Sequence, residues 1–223
     1  MLRYLDVQNI LDKNDLILQE SGCVGSENER GNTYMKKIGI VTDSHSSISQ
    51  EEAEKLGIFV LPMPFYIDGE CFYESVTLSR ELFFEKLAAG ADITTSQPSP
   101  TAVMEIWDKA LEQFEKILYL PISSGLSGSY ETAMMLAKDE AYEGRVLVVD
   151  DGQVAAPLHQ MVLDTLDMIK KGYEAEQIRD LLERAGDRMM IYIALQTLEC
   201  LKKGGRVTPA AAALGSVFNI KPI

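Results

Sequence analysis

Lys116-Ile-Leu-Tyr-Leu-Pro-Ile-Ser-Ser-Gly-Leu-Ser-Gly-Ser-Tyr130 passes from an apolar run into a loop of hydroxyls and glycines, and from there into a helix. The run at 116–121 is short and ends at a proline, which reads as a buried strand. Residues 128–138 contain no proline and read as the helix. A strand that opens at its carboxyl end into such a loop and helix is the unit of an α/β sheet, whose ligands sit beyond the carboxyl ends of the strands.

The same alternation continues on both sides. Upstream, 38–41 reads as a strand ending in Thr42-Asp43-Ser44, and 49–56 as a helix with Ser49 as N-cap and Glu52 three residues on. Residues 59–66 read as one edge strand interrupted by Pro62 and Pro64. Asp68-Gly69 is a turn signal, with 70–73 returning as a hairpin strand. Helices are expected at 79–88 and 101–113, the first capped by Ser79, the second preceded by Ser99 and Pro100. Downstream, 146–150 and 189–194 read as strands, and 158–171, 175–185 and 198–203 as helices. Residues 1–34 read differently: a weak amphipathic stretch and a polar, glycine-rich linker precede Met35, where a domain begins. They are read as an extension or as an early start.

The 223 residues are enough to bury a substantial core, and the charge sum of −13 argues against coating nucleic acid or an anionic membrane. Cys23, Cys71 and Cys200 are too few and too scattered for a disulfide framework or a metal knuckle, which points to a reducing compartment. No apolar run approaches a bilayer span, and the N-terminus carries no signal peptide, so the cytoplasm is the expected location and no integral membrane association is expected. No metal site is expected.

Four segments carry candidate chemistry. Ser123, Ser124, Ser127 and Ser129 lie with two glycines at a helix N-terminus, where free N–H groups and the helix dipole suit an anion; the same pattern also suits a plain serine cap. Ser127 is not in a Gly-x-Ser-x-Gly elbow, and a catalytic serine would need His45 or His159 as its base. Thr94-Thr-Ser-Gln-Pro-Ser-Pro-Thr101 offers a second set of hydroxyls, or only a capped loop. Asp43 reads as a cap rather than a metal ligand. Lys202, Lys203 and Arg206 form the one dense basic cluster, in which the lysines offset a helix dipole and Arg206 is placed to reach an anion or a partner.

Taken together, the sequence resembles the DegV family of bacterial proteins. The resemblance rests on Val-Thr-Asp-Ser at 41–44, Thr-Ser-Gln-Pro-Ser at 95–99, Ser-Ser-Gly-Leu-Ser-Gly-Ser-Tyr at 123–130, Leu-Lys-Lys-Gly-Gly-Arg at 201–206 and Asn-Ile-Lys-Pro at 219–222, in that order. It implies a two-domain α/β fold. The first domain (35–159) is expected as a three-layer α/β/α unit with a mostly parallel sheet. The second (160–223) is expected as an α/β unit with a mixed sheet, cut short here. It also implies a carrier with no catalytic residues of its own. A long-chain fatty acid would be its ligand, with no other cofactor, and a fatty acid kinase subunit its partner, making the acyl phosphate. The implied carboxylate contacts map onto Thr95 and Ser127, with Ser124 and Ser96 as alternatives, and Arg206 onto the contact with the partner or phosphate. Candidates for the apolar slot are Phe59, Leu61, Phe65, Phe83, Met104, Ile191 and Ile193. Two departures stand out: residues 1–34 have no counterpart, and Asp151-Gly-Gln-Val-Ala-Ala-Pro157 replaces a serine- and glycine-rich stretch. The competing readings are a small serine esterase using Ser127 and His45, and a lipid-dependent regulator without a kinase partner.

Overall fold

The computed structural model describes residues 36–73, 76–192 and 199–208. In chain order its first elements are β1 (Lys36–Asp43), a 3-10 turn (Ser44–Ser46), α1 (Gln50–Leu56), β2 (Phe59–Leu61), β3 (Pro64–Ile67), β4 (Glu70–Tyr73), α2 (Arg80–Ala88) and β5 (Ile93–Thr95). These are followed by α3 (Pro100–Leu111), β6 (Phe114–Leu120), α4 (Ser129–Leu136), β7 (Val146–Val148), α5 (Ala156–Lys170), α6 (Ala175–Gly186) and α7 (Glu199–Lys203).

β2, β1, β6 and β7 hydrogen-bond in that order as an all-parallel sheet. Side chains alternate across it with the period of two that a pleated strand imposes. Ile38 and Ile40 of β1 and Leu118 and Leu120 of β6 face one core, which Met161 and Val162 of α5 and Ile178 and Leu182 of α6 complete. Val41, Ile117 and Tyr119 face the other, under Val103 and Trp107 of α3 and Ala133 of α4. The result is the expected three-layer α/β/α arrangement. In α6 the buried residues Ile178, Leu182 and Ala185 recur at helical spacing, so one face of the helix supplies the core. On the α3 side, Trp107 is fully buried, and its ring meets Tyr119 edge-on at 5.5 Å and Tyr142 at 5.2 Å. Gly39 is required by packing: a Cβ there would lie 2.6 Å from the Phe114 ring.

β4, β3 and β5 form a separate antiparallel sheet. Asp68 and Gly69 both have positive φ, 51° and 85°, as the tight β3–β4 hairpin turn demands. The expected single strand at 59–66 is therefore two. β2 pairs with β1, the chain leaves that sheet at Pro62-Met63, and β3 begins the second one. Met63 N–H is taken up by Ser44 Oγ at 3.1 Å, which stabilises the crossing. β5 corrects the reading of the whole Thr94–Ser99 stretch as loop, since Thr94 and Thr95 pair with Tyr66 and Phe65. The strand expected at 189–194 is not found over 189–192, and 193–194 lie outside the described residues. The serine caps are as read: Ser49, Ser79 and Ser99 each accept an N–H from three residues on. The boundary expected near residue 159 falls within α5, a helix that packs on the parallel sheet.

Candidate ligand-binding site

The site grows from the carboxyl ends of β1 and β6. Thr42 Oγ1 donates to Leu120 O at 2.8 Å, locking the two strand ends together. Asp43 is fully buried and joins the loops beyond them. Its Oδ1 accepts His45 N–H at 2.9 Å, capping the 3-10 turn, and also meets His45 Nδ1 at 3.2 Å. Its Oδ2 accepts Ile122 N–H at 2.8 Å. A buried carboxylate held by N–H groups from two loops fixes their separation.

The loop at 121–128 is then folded on itself. Leu126 and Ser127 N–H both reach Ser123 O, at 3.0 and 3.2 Å. Ser127 Oγ pairs with Ser129 Oγ at 2.8 Å and accepts Ser129 N–H at 3.3 Å, so it stands at the N-terminus of α4. Gln97 Oε1 accepts from Thr132 Oγ1 at 3.4 Å, and a Cβ on Gly128 would approach it to 3.0 Å. That contact brings the segment after β5 against the start of α4.

A cavity of about 530 Å³ lies between these segments, within the usual range for small-molecule sites. Its polar lining residues include Ser44, His45, Thr95, Ser96, Ser127 and Arg206. Its apolar lining residues include Met63, Phe65, Phe83, Phe84, Ile93 and Ile122. Phe65 lies directly across from Thr95 in the β3–β5 register, so a ring and a hydroxyl share one face of that sheet. The Phe83 ring meets Phe65 edge-on at 5.5 Å and Phe84 likewise at 5.5 Å, which stiffens this wall.

Of the residues singled out in the sequence, Thr95, Ser96, Ser127 and Arg206 converge on the cavity. Ser124 is not among its lining residues; its N–H faces Asp150 Oδ1 at 3.4 Å. Arg206 donates through Nε to Leu126 O at 3.0 Å and through Nη1 to Gly204 O. Among the slot candidates, Phe65 and Phe83 line the cavity. Phe59, Leu61 and Met104 instead belong to the core under α3, Ile191 is not in the lining, and Ile193 lies outside the described residues. The contribution of Met63, Ile93 and Phe84 was not visible in the sequence, because it depends on the switch of sheets at Pro62.

Behind the loop is a joint built by Asp150, Asp151 and Gln153. Gln153 O accepts Ser123 N–H at 3.0 Å, while its Nε2 bridges Asp151 O at 3.1 Å and Gly186 O at 3.2 Å. Gly186 packs so closely that a Cβ would fall 2.0 Å from Asp151 O. Asp151 Oδ1 accepts Gln153 N–H at 2.9 Å, whereas Asp151 Oδ2 and Gln153 Oε1 are buried without a hydrogen-bond partner among the described residues. Burial pushes the Asp151 carboxyl up to about 7, with the neighbouring carboxylates of Asp150 and Asp43 adding to the effect.

Among the described residues no group of three or more His, Cys, Asp and Glu is placed to hold a metal ion. No helix among them is long and apolar enough to cross a membrane.

This arrangement of sheets matches solved structures. A DegV family protein from Thermus thermophilus, described as binding fatty acid, superposes with a TM-score of 0.73 at 34% identity, over 83% of this chain and 66% of that one. DegV of Bacillus subtilis, described as a fatty acid binding protein, gives 0.70 at 25% identity, over 81% and 64%. By sequence the chain is 31% identical over 189 residues to a DegV domain-containing protein of Caldanaerobacter subterraneus, covering 85% of this chain and 67% of the relative. It is 35% identical over 187 residues to one of Deinococcus radiodurans, covering 83% and 66%. The chain thus spans about two thirds of the length of the relatives it matches. A family model described as "Uncharacterised protein, DegV family" matches residues 37–223, a stretch that contains all five sequence motifs. With motif order, family model and fold in agreement, the chain belongs to the DegV family.

Proposed function

We propose that the chain binds a long-chain fatty acid in this cavity and presents its carboxylate to a fatty acid kinase subunit in the cytoplasm. The observation that carries the reading is that one cavity is lined both by hydroxyls and by aromatic and aliphatic side chains. In this reading Thr95 and Ser127 donate to the carboxylate, with Ser96 beside them, while Met63, Phe65 and Phe83 enclose the carbons next to it. Neutral hydroxyls at a helix N-terminus stabilise an anion without a fixed ion pair, which suits a head group that must later accept a phosphoryl group. Each buried methylene adds ~0.8 kcal/mol, so the tail dominates affinity. The phosphoryl chemistry belongs to the partner, and Arg206, in the cavity lining, is the residue that would meet the partner or the phosphate. Relatives described as fatty acid binding proteins support the ligand class.

The test is the Thr95→Ala, Ser127→Ala double variant, assayed for retained fatty acid and for acyl phosphate formation with the kinase. The reading expects both to fall with the fold intact, and normal values for both would overturn it. A second reading, a serine hydrolase, is favoured by one observation: Asp43 orients His45 through Nδ1, and Ser127 lines the same cavity. Ser127 Oγ, however, is engaged with Ser129 Oγ, and among the described residues no hydrogen bond joins it to His45. Covalent labelling of Ser127 by a fluorophosphonate would favour the hydrolase, since a carrier does not react.

A further inference from the structure

Resting on the fatty-acid reading, we propose that Ser129 is a positioning residue that sets head-group specificity: its buried hydroxyl donates to Ser127 Oγ, which leaves Ser127 only a hydrogen to offer and so favours a carboxylate over an alcohol. The start of α4 has no side-chain cap of the usual kind, because Gly128 at the N-cap has no side chain to give. The N–H groups of a first helical turn lack partners within the helix. Ser127 Oγ takes one of them, accepting Ser129 N–H at 3.3 Å. The Ser129 hydroxyl lies 2.8 Å from the same oxygen. Ser129 is 3% exposed, and among the described residues its hydroxyl has no other hydrogen-bond partner. A buried hydroxyl hydrogen left without an acceptor is costly, so Ser129 Oγ–H donates and Ser127 Oγ accepts.

Two donors fill both lone pairs of Ser127 Oγ, and its own hydrogen is what remains for a ligand. The other serines of the cavity wall are not held in this way among the described residues. Ser44 Oγ accepts one N–H, from Met63 at 3.1 Å, and keeps a second lone pair. Ser96 Oγ gives its hydrogen to Gln97 O at 3.0 Å. An ionised carboxylate only accepts, and its bond to a fixed donor is charge-assisted. An alcohol accepts more weakly and has a hydrogen of its own to place, which Ser127 cannot take. Without the Ser129 hydroxyl, Ser127 Oγ regains a lone pair and can turn to accept from an alcohol.

The probes are cis-parinaric acid, a fluorescent long-chain fatty acid, and the alcohol of the same chain, titrated at about pH 8, where a carboxyl group is ionised. The readout is the ratio of the two affinities. Ser129→Ala should lower the acid-over-alcohol ratio by about 2- to 10-fold, the effect of one hydrogen bond. Ser129→Cys fills the same place with a weak S–H donor and should shift the ratio in the same direction, which decides the matter even if Ser129→Ala fails to fold. Ser129→Thr keeps the hydroxyl and should keep the wild-type ratio. In a Ser127→Ala background, Ser129→Ala should leave the ratio unchanged, because Ser129 acts through Ser127. A wild-type ratio in Ser129→Ala and Ser129→Cys, a Ser129→Thr that behaves like them, equal losses of acid and alcohol, or a full effect of Ser129→Ala without the Ser127 hydroxyl would overturn the inference and leave the fatty-acid reading standing. A wild type that binds no parinaric acid would overturn both.

Discussion

Replacing Asp151 with Asn should remove a pH-dependent loss of stability that the wild-type chain carries. Asp151 is 1% exposed, and its Oδ2 has no hydrogen-bond partner among the described residues. Burial raises its carboxyl from an ordinary 3.8 to about 7. Between those values the folded chain holds a proton that the unfolded chain has released, so stability falls as pH rises. The contribution is intact below pH 3.8 and lost once pH passes about 7. That interval, at ~1.4 kcal/mol per pH unit, amounts to about 4 kcal/mol. Asn keeps the shape, never ionises, and brings a donor to a place where Asp151 Oδ2 and Gln153 Oε1 both lack one. The assay is urea unfolding followed by circular dichroism at pH 5 and pH 7.5. The stability of Asp151→Asn relative to wild type should rise by about 3 kcal/mol between the two, since most of the interval lies between them. A difference that stays constant with pH, or that moves against the variant at pH 7.5, would refute the argument that this carboxyl is held neutral by burial.

Three further outcomes follow from the packing. Gly39→Ala should cost about 1–3 kcal/mol in the same unfolding assay, because its Cβ would meet the Phe114 ring at 2.6 Å. Leu158→Ala, at a fully buried position of α5 facing β1 and β6, should cost about 2–5 kcal/mol. Phe83→Ala should weaken fatty acid retention more than it weakens the fold, since Phe83 lines the cavity and braces Phe65 at 5.5 Å; lipid extraction and unfolding of the same variant separate the two effects.

Much of this is legible in the sequence, and the reasons lie in particular residues. The parallel sheet could be read because Ile38, Ile40, Leu118 and Leu120 sit in short apolar runs, each closed by a polar loop. The helix starts could be read because Ser49, Ser79 and Ser99 are side chains that accept the first free N–H groups. The split of 59–66 was hidden because Pro62 and Pro64 mark an interruption without saying that the chain changes sheets there. β5 was hidden because Ile93–Thr95 is only three residues long, and its identity as a strand depends on β3 lying beside it. In the cavity, the hydroxyls and Arg206 were legible from local sequence, whereas the partition of the aromatics was not. Phe59 and Phe65 look alike in sequence, yet one packs against the core under α3 and the other lines the cavity. The joint at Asp151 left no local signal, because it exists only where Gly186 of α6 closes on that loop.

The most direct measurement is mass spectrometry of lipid extracted from the purified protein, together with the native mass of the intact complex. The account predicts one long-chain fatty acid per chain, lost in the Thr95→Ala, Ser127→Ala double variant. A folded protein that carries no fatty acid, and takes none up when one is supplied, would contradict it.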